Sequence, residues 1–181
     1  MIREQAIQLM EQHIRNKNLR KHCLAMEAVL RRLAERVGDD EELWGLAGLL
    51  HDVDYEITEG NPDTHAAVGA EMLQEADVDE RIVHAVLGHN DKAPRESPLD
   101  KAVYAADPLT GLIVAAALVS PEKRLSAIDT QFVLNRFKEK LFAKGANREA
   151  MKSCCELGLP LDEFVSIGLG AMQGISQQLG L

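Results

Sequence analysis

Apolar residues recur every three to four positions along almost the whole chain, which is the spacing of helices with one buried face. The pattern predicts a first helix over about Glu4 to Arg15. A second runs from an Asn18 cap to Val37, with Leu19, Cys23, Met26, Leu30 and Leu33 as its stripe, and Gly38 ends it. Asp39 or Asp40 caps a third, which ends at His51-Asp52. Tyr55 to Pro62 reads as a polar loop. Asp63 or Thr64 then caps a helix to about Ala76, another spans Asp79 to Asn90, and Asp91 to Pro98 is a loop with two prolines. Ser97 caps a long stretch from Leu99 to Val119 that Pro108 interrupts. After a short segment opened by Ser120-Pro121-Glu122, helices are expected over Thr130 to Ala143 and Asn147 to Leu157. Gly158-Leu159-Pro160 is a break, and a last helix covers Leu161 to about Leu179. No stretch alternates as a strand does, so the fold class predicted is all-α.

The 181 residues suit one domain, 1–181, and can bury a core without disulfides. Hydrophobic content is 46% but aromatics only 4%, so the core is mostly Leu, Ala, Val and Ile packed helix on helix. The formal net charge of −9 disfavours long nucleic acid or an anionic membrane as the partner of the whole surface. It leaves room for a small anionic substrate, because bound divalent ions invert the local field. The odd count of three cysteines is no disulfide framework. The N-terminal residues show no signal pattern, and the apolar run Gly111 to Val119 is too short for a bilayer, so a cytoplasmic protein is expected. The adjacent Cys154-Cys155 and the Gly-rich last helix could serve an interface, including that of a homo-oligomer.

Candidate chemistry starts at the end of the third helix. Eight of the ten residues from Leu43 to Asp52 are apolar or Gly, and the other two are His51 and Asp52. No Lys or Arg lies between Arg36 and Arg81 to neutralise the carboxylate, and a metal ion is the natural alternative. Helical geometry sorts the remaining histidines. His22 lies in the stripe with Leu19 and Met26, His65 shares a face with Val68, Gly69 and Met72, and His89 with Ile82, Ala85 and Val86. His84 turns about 140° away from His89. Asp107 stands inside a strongly apolar helix. A lone inward His is more often a hydrogen-bonded core residue than a ligand. Here four imidazoles and two carboxylates face inward together. That set suits Fe, Mn, Co, Ni or Zn rather than Ca. One ion would take His22, His51, Asp52 and Asp107; a second would take His65 and His89, with Asp52 bridging.

The order His…His-Asp…His…His…Asp resembles the HD-domain metal-dependent phosphohydrolase superfamily. Leu19-Arg20-Lys21-His22, Leu49-Leu50-His51-Asp52 and Ala105-Ala106-Asp107 look like its mononuclear motif. Thr64-His65-Ala66-Ala67 and Val86-Leu87-Gly88-His89-Asn90 look like the histidine segments of its binuclear members. The resemblance covers about residues 18–119. It implies an HD-domain helical bundle around the metals, with residues 120–181 as a C-terminal helical extension. Phe137 to Arg148 is similar to a segment of close relatives but has no evident chemistry. Many HD proteins continue His-Asp with Ile-Gly-Lys; here Val53-Asp54-Tyr55-Glu56 follows, and the lysine role is vacant. Pro108 either kinks the helix to aim Asp107 or starts a new helix.

The activity expected is hydrolysis of a small phosphoester or phosphoanhydride by metal-activated water. Asp52 would bridge the ions, and Asp54 is the additional carboxylate for proton transfer. Asn90, Lys92 and Arg95 are candidate substrate contacts, and Asn90 and Tyr104 could support the ligands from behind. Two competing readings are an HD-type diiron oxygenase acting on a small organic substrate, with the same ligands, and a non-catalytic helical binding module. Substrate identity is not legible: no base-reading or phosphate-cradling glycine motif is present.

Overall fold

The computed structural model describes residues 1–58, 61 and 63–181. Among them there is no strand, and the chain is an all-α bundle. Helices α1 (Arg3–His13), α2 (Lys17–Val37) and α3 (Glu41–Leu50) are followed by the single turn α4 (Tyr55–Thr58). Then come α5 (Ala67–Glu75), α6 (Glu80–His89) and the long α7 (Pro98–Val119). The C-terminal part comprises α8 (Thr130–Lys138), α9 (Arg148–Lys152), α10 (Leu161–Gly174) and α11 (Ser176–Leu179).

The caps explain most of the boundaries. Asn16, not Asn18, caps α2: its side chain accepts from the backbone N–H of Asn18 at 2.8 Å and Leu19 at 3.4 Å. Gly38 ends α2 in the left-handed conformation at φ +79°, where a side chain would be strained. Asp40 caps α3, Asp79 caps α6, and Ser97 with Asp100 forms a capping box on α7. Where no cap exists, the expectation fails. Neither Asp63 nor Thr64 starts α5; the helix begins at Ala67 after Ala66, whose φ of +69° breaks the chain's direction. Tyr55 to Thr58 is helical rather than loop, and the rest of that expected loop at Glu59, Gly60 and Pro62 lies outside the described residues.

Two further expectations are corrected. Pro108 does not divide α7, which is helical without a break across it, so Asp107 is held in a helical turn. The stretch from Thr130 to Ala143 leaves helix at Lys138, and Asn147 to Leu157 splits into α9 and a 3-10 turn.

The core sits where α2, α3 and α7 meet. Gly48 lets α3 lie directly on α2: a Cβ there would come within 2.6 Å of the Glu27 nitrogen and 2.7 Å of the Met26 carbonyl carbon. This close approach brings the C-terminal end of α3, and thus His51, against His22 one turn earlier on α2. Among the described residues α7 is the one helix long and apolar enough to cross a membrane; 56% of that stretch is buried inside the bundle. It packs on α2, α6, α8, α9 and α10 and carries Asp107 to the same place.

Candidate metal centre

The six predicted residues converge from five elements: His22 on α2, His51 and Asp52 just after α3, His65 before α5, His89 ending α6, and Asp107 in α7. They form two groups. Nε2 of His22 lies 3.1 Å from Nε2 of His51 and 3.1 Å from Oδ1 of Asp107. Nε2 of His65 lies 3.1 Å from Nε2 of His89. Asp52 stands between the groups. Its Oδ2 is 3.5 Å from His22 and 3.4 Å from His51, while its Oδ1 is 3.4 Å from His65 and 3.6 Å from His89.

Each imidazole is oriented from behind. Nδ1 of His51 donates to the Gly48 carbonyl at 2.9 Å, and Nδ1 of His89 to the Val86 carbonyl. These partners only accept, so the proton is on Nδ1. Nδ1 of His22 meets the Thr110 hydroxyl at 2.9 Å; that hydroxyl spends its own proton on the Asp107 carbonyl at 3.0 Å, so it accepts from His22. Nδ1 of His65 donates to Oδ1 of Asp54 at 3.1 Å. All four rings, when neutral, therefore aim bare Nε2 lone pairs at one another in pairs. Lone pairs facing at 3.1 Å repel unless a cation lies between them. Two nitrogens about 2.1 Å from one ion and about 90–100° apart are themselves roughly 3.0–3.2 Å apart. The donor set fits a divalent transition metal in each group.

The charges agree. Burial alone would favour neutral Asp52, but His51, His65, His89 and His22 together hold its carboxyl well below the usual carboxylate range. Burial likewise favours neutral Asp107, yet its contact with His22 holds it down. Burial lowers His51. It also works against charge on His65, but Asp52 and Asp54 outweigh it and hold that ring at about 9. A proton and a metal ion compete for these same lone pairs.

Other expectations change. Asp54 is fully buried behind His65, where its Oδ2 accepts from the backbone N–H of Ala66 and Gly69, both at 2.9 Å. It fixes the ring and the start of α5 and does not reach the cleft, so a proton-transfer role is not what its position serves. Arg95 is also engaged elsewhere: its guanidinium stacks 3.8 Å from the centre of the Tyr104 ring and donates to Asp91 and to the Gly88 carbonyl. Lys92 is exposed. Asn90 does stand at the cleft, and its side-chain amide donates to the His65 carbonyl at 3.0 Å. His84 faces away, 3.1 Å from Asp100. Thr110 was missed. It lies three residues after Asp107, one turn on, which is the signal that could have found it.

Two clefts of about 500 and 520 Å³ meet over the cluster, sharing His22, His89, Asn90 and Asp107. One opens between Asn16, Asn18, Tyr55 and Glu56; the other is bounded by Tyr104 and the segment from Ala143 to Asn147.

Residues 19–112 match the HD domain family, which is more than half of the chain. The chain belongs to the HD domain family. The match begins in α2, ends in α7 and includes all six residues of the cluster. The HD domain defines a superfamily of metal-dependent phosphohydrolases. Among curated relatives, the HD-domain chain is similar to Ribonuclease Y of Cutibacterium acnes, 32% identical over 110 residues, 60% of this chain and 20% of that protein. It is 30% identical to Ribonuclease Y of Desulfotalea psychrophila over 138 residues, 74% of this chain and 26% of that protein. Ribonuclease Y of Sulfurovum sp. is 29% identical over 136 residues, 74% and 27%. The chain thus spans about a fifth to a quarter of the length of these relatives. No solved structure matches.

Proposed function

We propose that this HD-domain protein is a phosphohydrolase that cleaves a small phosphoester or phosphoanhydride at a two-ion centre. The observation that carries this reading is the placement of Asp52, with one carboxylate oxygen toward each pair of Nε2 atoms. A bridging carboxylate between two ligand sets is the arrangement a two-metal site requires. Bound divalent ions supply Lewis-acid polarisation of phosphoryl oxygens and a water acidic enough to yield hydroxide near neutral pH. The chain's own residues do the rest. The Nδ1 partners keep the four lone pairs aimed before any ion arrives, so little reorganisation is needed on binding. Asp107 closes the first group on the cleft side, and Asn90 stands at the junction of the two clefts beside His89. The substrate enters from this side and has no access from the α2–α3 core. The relatives named Ribonuclease Y support phosphoester chemistry in general. The acidic charge of this chain supports a small substrate rather than a long polyanion, in a cytoplasmic setting.

The test is metal analysis of the native protein, then a phosphatase and phosphodiesterase screen after reconstitution with Mn, Fe, Co, Ni or Zn. Two ions per chain and phosphate release are expected. His51→Ala and Asp52→Ala should abolish both, whereas His65→Ala or His89→Ala should leave a single ion. Two ions retained after His65→Ala would refute the binuclear assignment. An iron-loaded protein whose EPR signal changes with O₂ and an organic substrate, without phosphate release, would favour the oxygenase instead.

A further inference from the structure

The segment between α8 and α9 carries no role in the centre described above, yet it forms the far wall of one cleft over it. Ala143, Gly145, Ala146 and Asn147 line this cleft opposite His22, His89 and Asp107. Arg148 holds the wall in shape. Its guanidinium donates to the carbonyls of Phe142 at 2.6 Å, Ala146 at 2.7 Å, Ala143 at 2.8 Å and Phe137 at 3.3 Å. Satisfying three loop carbonyls and one at the end of α8 with one cation ties the loop to the helix, and it holds Ala143 at φ +44°, a conformation few non-glycine residues adopt. Asn147 secures the other end by capping α9.

This wall is also where the chain reverses its charge. From Arg136 to Arg148 there are five basic residues and one acidic, a net of +4 in a chain whose total is −9. Arg136 is paired with Glu139, and Arg148 is turned inward. Lys138, Lys140 and Lys144 are exposed, and among the described residues they form no ion pair. Lys144 sits between two residues that line the cleft. The opposite side of the cleft carries the carboxylates of Asp107 and Asp91. A substrate bearing one phosphoryl group is served by the metal centre alone; an exposed ammonium group carried on the facing loop, with its long side chain free to turn toward the cleft, would serve an anionic group at its other end.

We propose that the Arg148-pinned wall is a second anion subsite, in which Lys144, aided by Lys140, binds a further phosphate of the substrate. The substrate class is then a small molecule with at least two phosphates, such as a nucleoside bisphosphate or diphosphate. This rests on the phosphohydrolase reading above and names the substrate class of the same site. Arg148 acts as a positioning residue.

The experiment measures binding of three probes to the metal-loaded protein by calorimetry: thymidine 5′-monophosphate, thymidine 5′-diphosphate and thymidine 3′,5′-bisphosphate. Lys140→Ala/Lys144→Ala is compared with wild type and with Lys123→Ala, beyond the far end of α7, as a remote charge control. Exposed ion pairs contribute up to about fivefold each, so the double variant should weaken at least one two-phosphate probe by about five- to twentyfold. The monophosphate should change by less than about twofold, and metal content and melting temperature should be those of wild type. The diphosphate and bisphosphate arms tell adjacent phosphates from separated ones. Equal weakening of all three probes, or no change in either two-phosphate probe, overturns the subsite. If that happens while the wild type still binds the monophosphate and hydrolyses p-nitrophenyl phosphate, the metal-centre reading stands. If no probe binds and no ester is cleaved, both readings fall. Arg148→Lys, which keeps the charge but not the four-way fork, should give a similar selective loss with the loop more open to proteolysis.

Discussion

Replacing Asp54 by Asn separates an orienting carboxylate from a mere structural anchor. The side chain is fully buried and has three donors around it: the N–H of Ala66 and of Gly69 on one oxygen, and Nδ1 of His65 on the other. Asn has nearly the same shape but only one accepting oxygen. The two backbone donors claim that oxygen, which leaves the amide NH₂ facing Nδ1–H of His65. Donor against donor is relieved when the His65 proton moves to Nε2. That proton then blocks the lone pair 3.1 Å from Nε2 of His89 and 3.4 Å from Asp52. Loss of such a support for a ligating His costs about ten- to a hundredfold in metal affinity, or about 1.4–2.8 kcal/mol. The fold loses a charge-assisted contact, about 1–3 kcal/mol, which for a chain of this size lowers Tm by about 2–12 °C. Titration of metal-free protein with Mn²⁺ or Zn²⁺ is the assay. The wild type should bind two ions; the variant should bind one as before and the second ten- to a hundredfold more weakly. Should Tm fall while both ions bind as in wild type, Asp54 anchors α5 only, and the argument from tautomers is wrong.

The remaining predictions address other parts of the same construction. Thr110→Val removes the acceptor for Nδ1 of His22; affinity at the His22–His51 side should fall about tenfold with the second ion unaffected, read by the same titration. Gly48→Ala would force a Cβ into the α2 backbone at 2.6–2.8 Å, so it should cost about 1–3 kcal/mol in a denaturation curve and lower metal content along with it. Chelation of metal from a site half-saturated at one-hundredth of the free ion concentration should remove about 2.7 kcal/mol, a fall of roughly 5–10 °C in Tm that re-addition of the ion reverses. Glu56 accepts from the backbone N–H of Asn16 and Arg15, and these bonds lower its pKa. Its contribution is therefore present above the unfolded value of about 4.3 and disappears as pH falls through the lower folded value. The Tm difference between wild type and Glu56→Gln should be constant above about pH 5.5 and shrink steadily as pH falls below about 4.3; a difference that does not shrink over that range would refute this assignment.

What the sequence by itself determined is whatever depends on a local repeat. The 3.6-residue period placed His22, His89 and Asp107 on inward faces, and caps at Asp40, Asp79 and Ser97 set helix starts within a residue; His65 also turns inward, but from the turn before α5, where no helical period runs. A buried His-Asp pair with no nearby cation signalled an absent positive charge, because that cost is a property of composition around one point. The tertiary structure decided everything that depends on the distance between elements. The packing of α3 on α2 at Gly48 and the course of α7 through Pro108 bring the six residues, expected as two groups about Asp52, to within reach of one another and set the distances between them. Asp54 could not be read from spacing, since it faces α5 and its partners are not its neighbours in the chain; Thr110 lies one turn after Asp107, but only the fold sets it against His22 on α2. Lys92 and Arg95 follow His89 closely in sequence, but the loop after α6 turns at Asp91, φ +56°, and stacks Arg95 on Tyr104 instead of over the cluster. The wall from Ala143 to Asn147 faces that cluster from more than thirty residues away, because one half-buried guanidinium can organise a loop that has no period to read.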